Sequence, residues 1–242
     1  MASTFQLAID IGNTSIKVGV FEGVHLKEKH IFQSMDKFKT WADGQLIAIG
    51  IVASVKQEVL PPLLFPVVTF ASGPSKLPIN NLYKTPETLG KDRLAGAIGA
   101  TALFPDSACL VVDMGTCITF DLLNEAKEYL GGAISPGLHM RFKAMHHFTA
   151  KLPLAEMPQG PVELLGRDTM SCLQSGVVNG IRFEVEMAMA TYRSKYPNLK
   201  VLLCGGDAHF FESIIKGDIF AFPELVLHGL NHTLLYYNNA FL

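Results

Sequence analysis

The sequence predicts an α/β protein built as two duplicated lobes, each opening with three strands. Three observations carry this. An apolar strand runs into Asp10-Ile-Gly-Asn-Thr14, and a second runs into Asp113-Met-Gly-Thr116. Each turn is followed by the same opening grammar of strands before helices, which a repeated lobe explains better than coincidence. The chain length of 242 residues fits two compact lobes better than one large one. A lone Asp-x-Gly turn is a common hairpin feature, whereas two copies in matching strand contexts point to a shared use.

In the first lobe, LAID and SIKVGVF flank the turn as a hairpin, giving strands near 5–10 and 15–21 with a third near 28–33. A short helix follows around 36–42, then a strand at 46–51, a helix at 54–60 and a strand at 66–70. Residues 71–90 are less regular, rich in Pro, Ser, Gly and Asn, and lead into a helix from about 91 to 104 whose Ala, Leu and Gly suit close packing. The lobes divide near 105–108, as 1–108 and 109–242. Strands at 109–113, 117–122 and 127–134 then precede helices from Pro136 and from Asp168, a strand at 200–204, and helices near 207–215 and 224–238. The helix from Asp168 has a legible start: Asp168 or Thr169 can cap it, and Val177, Ile181, Val185, Ala188 and Tyr192 recur at spacings of three or four. Met187 and Met189 on this helix read as packing residues.

Composition excludes several functions. A net charge of −2 with scattered lysines and arginines gives no basic stripe for nucleic acid. No apolar stretch reaches the roughly 20 residues that cross a bilayer, so no membrane partner is expected. Cys109, Cys117, Cys172 and Cys204 contain no Cys-x-x-Cys pair and read as small buried hydrophobes in a reducing compartment, which makes a cytoplasmic location the expectation. His146, His147 and His209 have no ligand partners at metal spacing and read as surface or packing residues.

The two turns suit a polyphosphate. Gly12 and Gly115 lack a side chain where an anion approaches the backbone; Thr14, Ser15 and Thr116 add hydroxyl donors, and Lys17 adds a positive charge. Carboxylates do not bind phosphate, so Asp10 and Asp113 make sense if a hard cation intervenes. A second site is Lys91-Asp92-Arg93, three charges at the start of an apolar helix, where only Asp92 has the sign the helix dipole favours. Asp92 reads either as a cap on a solvated terminus or as a general base. The second role suits phosphoryl transfer, in which positioning contributes more than basicity. Arg93, with its planar fork, suits a carboxylate on the acceptor, so a small hydroxy acid is a natural ligand.

These motifs resemble those of type III pantothenate kinases, members of the acetate and sugar kinase/Hsp70/actin superfamily. The matching segments run from Asp10–Lys17 through Gly90-Lys-Asp-Arg93, preceded by Tyr83 and Thr85-Pro86, and Asp113–Thr116 with Thr119 and Asp121, to Gly131-Gly-Ala-Ile-Ser-Pro-Gly137 and Gly166-Arg-Asp-Thr169. The resemblance implies two ribonuclease H-like (actin-like ATPase) lobes with the active site in the cleft between them. It implies ATP-dependent phosphorylation of the 4′-hydroxyl of pantothenate, the first step of coenzyme A biosynthesis, with Asp92 as proton acceptor. It further implies that Asp10, Ile11, Gly12, Asn13, Thr14, Ser15, Ile16, Lys17 and Thr116 hold ATP, with Asp10 toward magnesium. Tyr83, Gly90, Lys91, Asp92, Arg93 and Thr169 would surround pantothenate, Asp113 would hold potassium or ammonium, and Gly205-Gly206 would face the nucleotide base. A homodimer with the substrate site at the interface is implied too. Lys91 and Cys117 depart from the small residues common there. The rival readings are a superfamily kinase or phosphatase acting on a sugar, acetate or polyphosphate, and an accessory protein that kept the fold without the catalysis; retention of Asp10, Asp92, Arg93 and Asp113 favours an enzyme.

Overall fold

The structure, a computed structural model, describes residues 5–54, 60–70 and 77–240. The first apolar hairpin forms as expected: β1 (Phe5–Ile11) and β2 (Ile16–Glu22) pair antiparallel, with Asp10 opposite Lys17. β3 (His25–Phe32) and the helix α1 (Met35–Asp43) follow, the helix capped by the Ser34 hydroxyl, which accepts from the Lys37 N–H at 3.4 Å. β4 (Ile47–Ser54) and β5 (Val67–Thr69) run parallel to β1 and complete a sheet of order β3-β2-β1-β4-β5. The helix expected at 54–60 lies outside the described residues apart from its two ends.

The less regular segment contains a two-residue strand, β6 (Asn80–Asn81), and one 3-10 turn (Pro86–Thr88) before α2 (Lys91–Leu103). β7 (Cys109–Met114), β8 (Cys117–Leu123) and β9 (Glu128–Pro136) reproduce the second opening. Then come α3 (Leu138–Phe148), α4 (Thr169–Arg193), β10 (Lys200–Cys204), α5 (Ala208–Glu212), β11 (Phe220–Ala221) and α6 (Leu225–Ala240). The second sheet has the order β11-β10-β7-β8-β9-β6. Without β6, its order read from the other edge, β9-β8-β7-β10-β11, repeats the first sheet's strand for strand. In both sheets the strand that ends in the acidic turn is central. It is flanked by its hairpin partner and by a parallel strand, β4 beside β1 and β10 beside β7.

The chain divides into two compact units, one of Met1–Asp106, Leu123–Leu130 and Glu224–Leu242, the other of Ser107–Leu122 and Gly131–Pro223. The first crossing falls where the sequence predicts it. The division into 1–108 and 109–242 nevertheless assigns the tip of the β8–β9 hairpin and α6 to the second lobe, whereas both belong with the first unit. The cause is a helix crossing made of glycine. A Cβ on Gly229 of α6 would lie 1.8 Å from the Ala95 carbonyl oxygen of α2, and one on Gly99 would lie 2.4 Å from the Leu225 oxygen. Leu225, Leu230 and Leu234 are wholly buried there, and the Asn231 amide donates to the Gly23 carbonyl at 2.8 Å. The first unit's core gathers Leu7, Ile9, Val18 and Phe38; the second gathers Leu110, Val112, Val178 and Phe211.

Two readings of single side chains change. Cys109 and Cys204 are buried as expected, and burial pushes the Cys109 thiol up to about 12. Cys172, by contrast, is exposed, because it lies on the outer face of α4 one turn from Gly176. Met189 packs in the core, but Met187 is 67% exposed on that same outer face. For the α2–α6 crossing, Gly229→Ala is expected to destabilise the protein by about 3 kcal/mol through overpacking. Gly160→Ala, where a Cβ meets nothing within 4 Å, serves as the neutral control in the same thermal denaturation experiment.

Candidate active site

In the first unit, the turn after β1 is closed by the Gly12 N–H donating to the Ser15 carbonyl at 3.0 Å, which leaves Asn13 and Thr14 exposed at its tip. Asp10 is 6% exposed, and its pairing with Lys17 sets both side chains on one face of the sheet. Ile11 and Ile16 pack into the core. Of the segment 10–17, those two residues can therefore offer a nucleotide only their backbone.

α2 begins with Gly90 as its N-cap, so Asp92 is the second helical residue and not the cap. Its carboxylate turns back: Oδ1 accepts the Arg93 N–H at 2.9 Å. A Cβ on Gly90 would lie 2.6 Å from that same oxygen, so the bare glycine leaves the space the carboxylate occupies. Arg93, in contrast to a solvated terminal charge, is 9% exposed, and its guanidinium carbon stands 5.9 Å from the centre of the Tyr83 ring. Tyr83 is held in turn by its N–H donating to Asn81 Oδ1 at 3.0 Å and by the Tyr129 ring at 6.1 Å. Lys91 and Ile11 line one cavity of about 460 Å³, together with Val52, Ser54, Leu63 and Phe65. The turn after β1 and the start of α2 thus meet at one concavity within this unit. Its wall mixes apolar side chains with polar groups, the Lys91 ammonium and the Ser54 and Thr69 hydroxyls among them.

In the second unit, Asp113 ends β7 and pairs in register with Cys204. Gly205 follows with φ +92°, a conformation that favours glycine, and a Cβ there would lie 2.5 Å from Asp113 Oδ1 and 2.6 Å from the Met114 carbonyl oxygen. Gly115 stands on another side, its would-be Cβ 3.2 Å from the same Oδ1. Gly137 presses against the turn as well: its N–H donates to the Thr116 carbonyl at 3.1 Å, and a Cβ would lie 2.3 Å from the Gly115 oxygen. Thr116 itself is exposed, while Asp121 is 1% exposed and accepts the Thr119 hydroxyl at 3.0 Å as an internal pair. A carboxylate bordered by peptide oxygen and by two glycines, Gly115 and Gly205, matches the oxygen preference of a hard cation. Asp10, a carboxylate with a lysine on its face, fits magnesium only together with phosphate oxygens.

Thr169 opens α4, whose N-cap is Asp168 in a capping box with Ser171. The Ser171 N–H and hydroxyl hold the Asp168 carboxyl below the usual range. Thr169 lines a second cavity of about 460 Å³ with Met145, Leu152, Gly166, Arg167 and Cys172. The three histidines lie at the surface: His146 Nδ1 is 2.8 Å from the Leu152 carbonyl, His147 stacks edge-on with Phe148, and His209 faces Glu212.

Two residues that sequence reasoning missed complete this part of the second unit. Arg141 on α3 ties the Ser135-Pro136-Gly137 turn to α4: Nε donates to the Pro136 carbonyl at 2.8 Å, and Nη2 donates to Ser135 and to Glu184. Asp207 follows the Gly205-Gly206 pair, and its N–H donates to the Met114 carbonyl at 2.9 Å. A signal for it was present, since Gly-Gly-Asp after an apolar strand mirrors the acidic, glycine-bearing turns at the other two strand ends.

The model of the type III pantothenate kinase family matches residues 6–191. The chain belongs to the type III pantothenate kinase family. It is 40% identical over 240 residues to the type III pantothenate kinase of Flavobacterium johnsoniae, covering 95% of this chain and 97% of that one. To the type III pantothenate kinase of Bacteroides fragilis it is 42% identical over 242 residues, covering 97% and 99%. Among solved structures it is similar to a protein described as a Baf-family transcriptional activator from Campylobacter jejuni, with TM-score 0.67, 22% identity and coverage of 96% and 99%. It is also similar to component A of (R)-2-hydroxyglutaryl-CoA dehydratase from Acidaminococcus fermentans, with TM-score 0.51, 12% identity and coverage of 99% and 100%. At those identities the likeness shows the two-lobed actin-like fold alone. The kinase family, not the accessory reading, is therefore the one to which this chain belongs. Replacing Gly205 by alanine strains the backbone and drives a methyl group into Asp113; kinase activity is expected to fall at least tenfold, while circular dichroism stays that of the wild type.

Proposed function

We propose that this chain transfers the γ-phosphoryl group of ATP to the 4′-hydroxyl of pantothenate, opening coenzyme A synthesis. Family membership makes it a pantothenate kinase. The observation that carries the mechanism is the orientation of Asp92. One carboxylate oxygen is fixed by the Arg93 N–H, and the other accepts no hydrogen bond among the described residues. Asp92 accepts the hydroxyl proton as the new oxygen–phosphorus bond forms and the bond to the ADP oxygen breaks. Because the transition state is loose, the proton leaves late and orientation matters more than base strength. Arg93, with Gly90, Lys91 and Tyr83 around it, receives the acceptor; the buried guanidinium suits its carboxylate. Thr169 is a further acceptor contact.

ATP is held by the segment 10–17 and by Thr116. Magnesium, when bound, offsets phosphate charge, with Asp10 as its protein-side carboxylate. Asp113 holds a monovalent cation, potassium or ammonium, for which the glycine-bordered carboxylate is the support. The functional protein is a homodimer: α4 leaves Gly176, Phe183 and Met187 exposed along one face, apolar surface that a second copy covers. Free thiols and the absence of any helix, among the described residues, long and apolar enough to cross a membrane support a cytoplasmic setting.

The first experiment is a coupled ADP-release assay with pantothenate against a panel of sugars and small acids. Asp92→Asn is expected to lower pantothenate-dependent turnover roughly 10²- to 10⁴-fold with nucleotide binding retained. A variant working at the wild-type rate removes Asp92 from the mechanism. Turnover in potassium or ammonium should exceed that in sodium, and Asp113→Asn should abolish the difference; equal rates in all three salts for the wild type rule out the cation role.

A further inference from the structure

Arg141 breaks a local rule. It stands close to the start of α3, where the helix dipole disfavours a cation, and Gly137, the N-cap of that helix, has no side chain to receive the free N–H groups. Its guanidinium is committed elsewhere. Nε donates to the Pro136 carbonyl at 2.8 Å, and Nη2 donates to the Ser135 hydroxyl at 3.1 Å and to the Glu184 carboxylate on α4. One planar fork thus joins a peptide oxygen, a hydroxyl and a carboxylate, an arrangement that the point charge of a lysine does not reproduce. The Arg141 and Glu184 side chains are 21% and 32% exposed, so the pair is partly shielded from solvent screening.

What these bonds hold is the end of β9. Pro136 has no N–H to give to a sheet, and among the described residues β6 pairs with β9 only at Glu128 and Tyr129, so the far end of the strand has no outer strand beside it. The next residue is Gly137. Its N–H is fixed to the Thr116 carbonyl, and a Cβ on it would lie 2.3 Å from the Gly115 oxygen and 2.6 Å from the Thr116 oxygen. Arg141 therefore fixes the residue before Gly137, and Gly137 lies directly against the turn 113–116. We propose that Arg141, clamped by Glu184, is a positioning residue for the kinase reaction, holding Gly137 against Thr116 and so setting the turn that meets the nucleotide phosphates. This rests on the reading of Thr116 as an ATP contact. A pair that served only to pack α3 on α4 would change the folded fraction and leave the affinity for each substrate as it was.

Full-length protein carrying Arg141→Ala, Arg141→Lys or Glu184→Gln is compared with the wild type in kcat, in KM for ATP and for pantothenate, in equilibrium binding of ATP and in thermal denaturation. Arg193→Ala is the matched control, since Arg193 at the other end of α4 also donates to a loop carbonyl, that of Asp218 at 2.6 Å. Arg141→Ala is expected to raise both the KM and the dissociation constant for ATP about tenfold, as small displacements of a positioning group have large effects, with the pantothenate KM within twofold of wild type. Arg141→Lys should be nearly as impaired, and Glu184→Gln, which keeps an acceptor for Nη2, should fall between it and the wild type. Arg193→Ala should lower the unfolding temperature and leave both KM values unchanged. Unchanged ATP affinity in Arg141→Ala overturns the proposal, whatever happens to stability. So does an equal rise in both KM values, or wild-type behaviour of Arg141→Lys. If the alanine variant does not fold, the lysine and glutamine variants decide on the same criteria. A wild type that binds ATP without turning over pantothenate would count against the kinase reading, and the ATP dissociation constants alone would then test Arg141.

Discussion

The two acids proposed for the chemistry share one constraint, backbone approaching their carboxylate oxygens at distances that no side chain permits. Gly90 stands beside Asp92 with room for nothing larger than hydrogen, and Gly205 does the same beside Asp113. In each case the neighbouring peptide groups, not other side chains, define the surroundings of the acid. Such surroundings are stiff, because peptide positions are set by helix and sheet hydrogen bonds and not by rotamers.

The duplicated sheet order shows how one architecture supports two different acidic turns. In both sheets the acid ends a central strand, between a hairpin partner and a parallel strand. What differs is what faces it. Lys17 lies opposite Asp10 on β2, so the first turn combines an acid with a base on one face. The second turn has Cys117 at the start of its hairpin partner and Cys204, followed by Gly205, on the parallel strand, so peptide groups border Asp113. Under the proposed function the first turn meets phosphate with a divalent ion and the second a monovalent cation. The repeated sheet order sets the position of each acid, and the flanking strands set its surroundings.

Local features were legible in the sequence because they are decided locally. Alternating apolar residues around Asp10 and Asp113, the glycine before Asp92 and the Asp168 cap all act within a few residues, and the strands and helices they mark, β1, β2, β7, β8, α2 and α4, lie within a residue or two of their expected starts. Features decided by distant partners were not legible. Nothing in α6 alone says that Gly229 meets Ala95, the contact that groups this helix with the first unit. Cys172 and Met187 share an apolar periodicity with core residues of α4 but lie on the face away from the second unit's core, which composition cannot reveal. β6 has two asparagines and no strand propensity; its pairing with β9 holds it.

The start of α2 shows why an acid that is not placed as a cap can still serve a transfer reaction. A capping carboxylate stands outside the helix, on the residue before its first turn. Asp92 instead lies within the first turn, as the second helical residue, and uses a single oxygen on the N–H of the third, which restricts its rotation and leaves the second oxygen for the proton-accepting role proposed above. Gly90 makes this geometry possible, and Arg93 lies beside Tyr83 at the same helix start. A reaction with a loose transition state needs its acceptor hydroxyl aimed more than it needs that hydroxyl deprotonated early. The helix start supplies aim by ordinary backbone hydrogen bonding.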